Sequence, residues 1–166
     1  METNDNLKKA FAGESQANRR YLAFAGKADE EGMKNVAKLF RAAAEAETVH
    51  ALNHIKANSE VKATKDNIHA AIEGEKYENT EMYPKFIEKA KEEGNSEAEK
   101  VFVWANQVEK IHQTMYEDVL KSLNEGKDAE EKEYYVCQMC GNTVGGEPPE
   151  TCPICGVPKN QFKKIE

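Results

Sequence analysis

The sequence predicts a mainly α fold, a four-helix bundle followed by a small cysteine-bearing C-terminal domain. Three observations predict it. Residues 5–124 are rich in Ala, Glu, Lys and Leu, with Gly only at intervals, a composition that favours long helices over strands. Gly and polar punctuation divide that stretch into four segments of about 25 to 29 residues, each long enough for a rod of roughly 40 Å. All four cysteines of the 166 residues fall in the last thirty.

The first segment runs from near Asp5 to Glu31 and stops at Gly32, and the second from Met33 to about Asn58. The third extends from about Asp66 to Glu93 before Gly94, and the fourth from Ser96 to about Asn124 before Gly126. Gly just past a helix end supplies the left-handed position that closes it. Ser96 followed by Glu99 predicts a capping box for the fourth helix. Pro84, inside the third segment, removes a backbone hydrogen bond and is expected to bend the helix. Mostly short connections between such rods make a bundle, although residues 58–66 leave room for a crossing connection. The stretch EGKDAEEKE, residues 125–133, is charged and nearly free of apolar side chains and reads as a linker. The expected organisation is therefore a helical domain over 1–124, a linker over 125–133 and a cysteine module over 134–166.

Composition narrows the function classes. With 39% hydrophobic residues and no long apolar run, the chain is expected to be soluble and to span no membrane. A net charge of −7 gives it no field for phosphate backbones, so nucleic acid is not an expected partner. The N-terminus has neither a secretory nor a transit pattern, which predicts a cytoplasmic protein. In that reducing compartment, clustered cysteines point to metal rather than disulfides.

Each helical segment places carboxylates on its apolar stripe. In the first, Leu7, Phe11, Tyr21, Phe24 and Ala28 share a helical face with Glu14. Val36, Phe40 and Ala43 continue to Glu47, His50 and His54; Ile68, Ile72, Met82 and Phe86 line up with Glu75 and Glu78. In the fourth, Val101, Phe102 and Ala105 lead to Glu109, His112, Tyr116 and Val119. A buried ionised carboxylate without a partner costs several kcal/mol, and Arg19, Arg20, Lys38 and Lys110 fall on other faces. Bound metal is the simplest neutraliser, and carboxylate with imidazole suits iron or manganese. Five carboxylates against two ferrous ions, or against two ferric ions with a bridging oxide, leave about one negative charge either way. The specific signature is Glu-x-x-His occurring twice, at Glu47 with His50 and at Glu109 with His112, because residues three apart share a helical face. That is the ligand pattern of ferritin-like di-iron bundles. The bland reading is that some of these glutamates are boundary residues whose long stems reach solvent. His54 reads as a supporting or core histidine, His69 lies too near its helix start to be a ligand, and Tyr21 and Tyr83 read as core aromatics.

Cys137-x-x-Cys140-Gly and Cys152-Pro-x-Cys155-Gly form two knuckles whose four thiolates make a tetrahedral site for iron or zinc. The cysteines alone leave a structural zinc ribbon open. Tyr134, Tyr135, Pro153, Pro158 and Phe162 are candidates for a small apolar lid over the site.

Taken together, FAGESQA around Glu14, the two Glu-x-x-His pairs, GEKYENTEMYPKF around Glu75 and Glu78, and the C-terminal CQMCG and CPICGVPK resemble the rubrerythrin family over nearly the whole chain. The resemblance implies a ferritin-like four-helix bundle with a rubredoxin-like domain. It implies a peroxidase that reduces hydrogen peroxide to water in oxidative-stress defence, with two non-haem irons in the bundle and one iron in the four-cysteine site. Glu47 and Glu109 are then bridging ligands, Glu14 and Glu75 terminal ones, and His112 a ligand of one iron. Glu78 and His50 exchange at the other iron, Glu78 in the oxidised form and His50 in the reduced one. Tyr21 and Tyr83 match family positions whose hydroxyls bond ligand carboxylates. A reductase or a rubredoxin is the implied electron donor. The linker is expected to hold the four-cysteine centre too far from its own bundle for fast transfer, so subunits pair head to tail in a homodimer or a dimer-based oligomer.

Departures from the family pattern carry expectations too. Asn142 stands where many relatives have an aromatic residue, which predicts a more exposed thiolate site with an altered potential. Thr48 and Val49 inside the first Glu-x-x-His are less polar than usual, which affects the outer face of the helix. The rival readings are a dioxygen reductase or ferroxidase, and a non-catalytic helical scaffold with a zinc ribbon.

Overall fold

A computed structural model describes residues 2–166, so Met1 of the expected helical domain lies outside the described residues. The chain divides into two compact units, one ending at Lys62 and the other covering Ala63–Glu166.

In the first unit, helix α1 (Glu2–Glu30) and helix α2 (Lys34–Ala57) pack side by side. Gly32, at φ 76°, closes α1: its N–H reaches Asp29 O and the N–H of Met33 reaches Ala28 O, so the last carbonyls of the helix are satisfied. The seam between the helices is built from small residues. Ala37, Ala44 and Ala51 recur every seventh residue of α2 and are buried with Ala25 and Ala28 of α1, which lets the two backbones approach closely. Asn18 crosses the seam, its Nδ2 donating to Ala44 O at 2.7 Å and to Thr48 Oγ1 at 2.8 Å. Tyr21, Phe24 and Phe40 form an aromatic trio beside it.

In the second unit, α3 (Thr64–Tyr77) and α4 (Tyr83–Glu92) both pack on α5 (Ser96–Asn124). Between α3 and α4 lies a π-helical turn, Glu78–Met82, in which the N–H of Tyr83 bonds Glu78 O five residues back. Pro84 sits in the first turn of α4, where a missing N–H is tolerated. The irregularity expected at Pro84 is thus the wide turn just before it. Asn79, buried at this turn, donates to Glu75 O and to Gln113 Oε1 of α5. Tyr83, Phe86 and Phe102 form a second aromatic trio.

The expected capping box is corrected by the structure. Asn95, not Ser96, is the N-cap of α5, its side chain accepting from the N–H of Ala98. Both residue types cap well, and Gly94, at φ 67°, starts the chain's turn one residue earlier. Glu99 pairs with Lys91 instead of reaching back to the cap.

The C-terminal segment forms a three-stranded antiparallel sheet of β1 (Tyr134–Cys137), β2 (Thr143–Gly145) and β3 (Phe162–Ile165), in the order β2-β1-β3. Tyr135 faces Val144 on one side and Lys164 on the other. Gly141, at φ 83°, turns the first knuckle and lies close to Val108, a buried residue of α5. The architecture is mainly α with a small C-terminal domain, as the composition predicts. Among the described residues, no helix is long and apolar enough to cross a membrane.

Candidate metal centres

Among the described residues, three groups of side chains are spaced to hold metal ions, each with its ligand atoms within 4.8 Å of one another. The first is in the helix pair α1 and α2. Glu47 and His50 lie one turn apart on α2, with Glu47 Oε2 3.0 Å from His50 Nδ1, and Glu14 of α1 brings Oε1 to 3.9 Å from the same nitrogen. His50 is 54% exposed.

The second group repeats the first in the other unit. Glu109 Oε2 of α5 lies 2.8 Å from His112 Nδ1, and Glu75 Oε1 of α3 lies 3.7 Å from it. The repetition extends through both units. One interval separates Phe40 from Phe102, Glu47 from Glu109 and His50 from His112, and also Tyr21 from Tyr83 and Phe24 from Phe86. Glu14 to Glu75 and Asn18 to Asn79 are one residue closer. That extra residue is absorbed by the π turn, which begins at Glu78, the acid that the first unit lacks. Such turns arise where one residue is inserted into a helix, often at functional sites. This internal repeat is written in the sequence, in the equal intervals between identical residues, although helical periodicity taken segment by segment does not show it.

The acids of the second group repel one another, and Glu78 adds to them. Burial, then hydrogen bonding with Glu109 and the charge of that carboxylate, pushes Glu75 up to about 7. Glu78 is raised by burial and by the Glu109 charge. His112 is raised by its hydrogen bond to Glu109, against the effect of its burial. Tyr83 is raised by burial and then by the charges of Glu109, Glu78 and Glu75. A cation among these side chains relieves the repulsion, so the donor set fits a di-iron site of oxygen and imidazole ligands. Tyr21 is half-buried in its aromatic trio, and Arg19, Arg20, Lys38 and Lys110 are exposed, as their helical positions predict.

The far side of His112 holds what the sequence did not disclose. Its Nε2 lies 2.8 Å from Thr143 Oγ1, at the start of β2. The Thr143 hydroxyl donates to Gly141 O, so its lone pair is left to accept from Nε2–H; Nδ1–H donates to the Glu109 carboxylate, and Nδ1 gives up that proton to act as a ligand. A cavity of about 320 Å³ beside this contact is lined by Glu75, His112, Tyr116, Tyr134 and Thr143 among others. The cysteine module is thus not remote from the helices of its own unit: it touches a ligand-type histidine through a single hydroxyl.

The third group is Cys137, Cys140, Cys152 and Cys155, all free thiols. Cys137 and Cys155 sulfurs are 3.6 Å apart and Cys140 and Cys152 sulfurs 3.7 Å, close to the edge of about 3.8 Å that a tetrahedron with metal–sulfur bonds of about 2.3 Å requires. Burial alone raises Cys152, but the amides of Cys155 and Ile154 directed at its sulfur hold it down to about 7. Burial raises Cys140, opposed by the amide of Asn142, and burial likewise raises Cys155. Of the expected lid, Tyr134, Tyr135 and Phe162 are half-buried while Pro153 and Pro158 are exposed. The exposure expected at Asn142 is corrected: far from opening the site, Asn142 is 2% exposed and packs against Cys152.

Comparison with known proteins places this arrangement. Residues 5–120 match the rubrerythrin family model and residues 135–163 match the rubrerythrin rubredoxin-like domain. The chain is 38% identical to rubrerythrin-2 of Clostridium acetobutylicum, over 97% of this chain and 95% of that protein. It is 37% identical to nigerythrin of Nitratidesulfovibrio vulgaris, over 96% of this chain and 85% of that one. A solved structure of nigerythrin in a partially reduced state aligns with a TM-score of 0.59 at 35% identity, covering 98% of this chain and 86% of the other. Four helices, a di-iron ligand set and a rubredoxin-like four-cysteine domain are the features of that family, and the chain belongs to the rubrerythrin family.

Proposed function

We propose that the chain is a non-haem di-iron peroxidase that reduces hydrogen peroxide to water in oxidative-stress defence, with electrons delivered through iron in the four-cysteine site. The observation that carries this reading is the hydrogen bond between His112 and Thr143, which sets an electron-carrier module against a ligand side chain of the carboxylate–histidine centre. The organisation proposed with it is a di-iron domain over 1–124, a linker over 125–133 and a rubredoxin-like domain over 134–166.

Seven side chains hold the irons in this proposal. Glu47 and Glu109 would be shared by the two irons, Glu14 and Glu75 would each serve one, His112 would be a fixed ligand, and Glu78 and His50 would alternate as ligand with oxidation state. When bound, the two irons supply the electrons that the O–O bond takes up in H2O2 + 2e− + 2H+ → 2H2O. The two histidines are suited to different roles. His112 is held on both ring nitrogens and is 27% exposed, whereas His50 is held through Nδ1 and is 54% exposed, the freedom that an exchanging ligand needs. In this proposal the hydroxyls of Tyr83 and Tyr21 donate hydrogen bonds to ligand carboxylates; the charges of Glu109, Glu78 and Glu75 act on Tyr83 and raise it. The four free thiols suit the reducing cytoplasm. A reductase or rubredoxin supplies the electrons. Exposed apolar side chains on α1 and α2, Leu22, Phe24, Leu39 and Leu52 among them, favour a homodimer.

Stopped-flow mixing of the fully reduced, iron-loaded chain with hydrogen peroxide and with dioxygen tests the reading. Faster reoxidation by peroxide is expected. Faster reoxidation by dioxygen makes the protein an oxygen reductase, and an empty bundle with zinc in the four-cysteine site makes it a scaffold.

A further inference from the structure

Asn142 touches three of the four cysteines. Its side-chain Nδ2 donates to Cys152 Sγ across 3.7 Å, its backbone N–H is directed at Cys140, and its carbonyl accepts from the N–H of Cys137 at 2.9 Å. Both Asn142 and Cys152 are 2% exposed. The two backbone contacts are available to any residue at this position. The side-chain contact is not: it requires an amide, and an aromatic ring in the same place brings no N–H to that sulfur.

We propose that Asn142 sets the reduction potential of the four-cysteine iron, raising it above the value the same loop gives without the side-chain donor. This rests on reading the four-cysteine site as an iron electron carrier. Four thiolates around a ferric ion carry one net negative charge, and two once the ion is ferrous. The added charge lies largely on sulfur, so an N–H aimed at a sulfur stabilises the reduced state more than the oxidised one. Burial strengthens the effect, because little solvent is present to screen the amide dipole. The consequence is directional. The module accepts an electron from its donor more readily, and its driving force toward the bundle is smaller than that of a relative lacking the amide.

Two measurements on the full chain test this. In the first, the iron-loaded protein and its Asn142→Leu variant are titrated with redox mediators while the absorbance of the ferric four-cysteine centre is followed. The ferrous-to-ferric ratio at a fixed applied potential is expected to fall about tenfold in the variant, equivalent to about 59 mV for one electron. Coincident titrations overturn the proposal. In the second, the native chain is loaded with an NMR-active cadmium isotope. Scalar coupling is expected between the metal and the Asn142 side-chain amide proton, passing through the Cys152 sulfur. Its absence overturns the proposal and leaves the electron-carrier reading standing, and it decides the matter even where the leucine variant does not take up iron. A chain that binds cadmium but no iron overturns both.

Discussion

His112 and Thr143 are joined across 2.8 Å, from the middle of a long helix to the first residue of a strand in the cysteine module. The hydroxyl gives its own proton to Gly141 O, which leaves it an acceptor toward Nε2. His50, the counterpart of His112 in the first unit, has no such partner on Nε2 among the described residues. Two side chains that occupy equivalent places in a repeated motif are thereby made unequal.

Replacing Thr143 with Val should therefore free the His112 ring. In the metal-free chain, NMR should show the His112 Nε2–H proton losing its hydrogen-bonded shift, and iron affinity of the bundle should drop about tenfold. Thr143→Ser, which keeps the hydroxyl, should restore both. A valine variant with an unchanged Nε2–H shift and affinity would remove the positioning role.

Glu78 begins the π turn, the inserted element that distinguishes α3 and α4 from α1. Glu78→Ala should leave iron bound, since three ligand residues remain on each unit, yet slow peroxide turnover about tenfold or more. Iron content with steady-state rates measures this; an unchanged rate rules out the exchange of Glu78 with His50.

The pH dependence of the metal-free protein follows from Glu75, raised from 4.5 to about 7 in the folded chain. A raised carboxyl is protonated more readily when folded, so its stabilising contribution is complete below about pH 4.5 and is lost as pH rises to about 7. Denaturant unfolding should show stability declining over that window, and Glu75→Gln should flatten the decline. Metal must displace this proton, so iron uptake should strengthen as pH rises through the same range. A decline of equal slope in the glutamine variant would assign it to another group.

The corrected cap of α5 is open to a direct comparison. Asn95→Ala should cost about 1 kcal/mol, because the N–H of Ala98 loses its acceptor, while Ser96→Ala should be close to neutral. Equal losses in chemical unfolding would return the capping role to Ser96.

What the amino-acid sequence determined by itself is whatever depends on spacing along one chain. Gly32 and Gly94 end helices because a left-handed residue is needed there, and Glu-x-x-His places two ligands on one face because a helix turns every 3.6 residues. Cys-x-x-Cys gathers thiolates for the same local reason. Tertiary structure decided what depends on partners distant in sequence. Whether Asn95 or Ser96 caps α5 turned on the one-residue position of a turn, and the folded backbone alone shows that the irregularity near Pro84 is a wide turn before it, from Glu78 to Met82. Asn142 was read as an opening and proved to be a buried donor, because its surroundings are built by both knuckles at once. The joining of His112 to Thr143 had no local signal at all: a hydroxyl becomes a histidine's partner only when folding carries a strand back onto a helix.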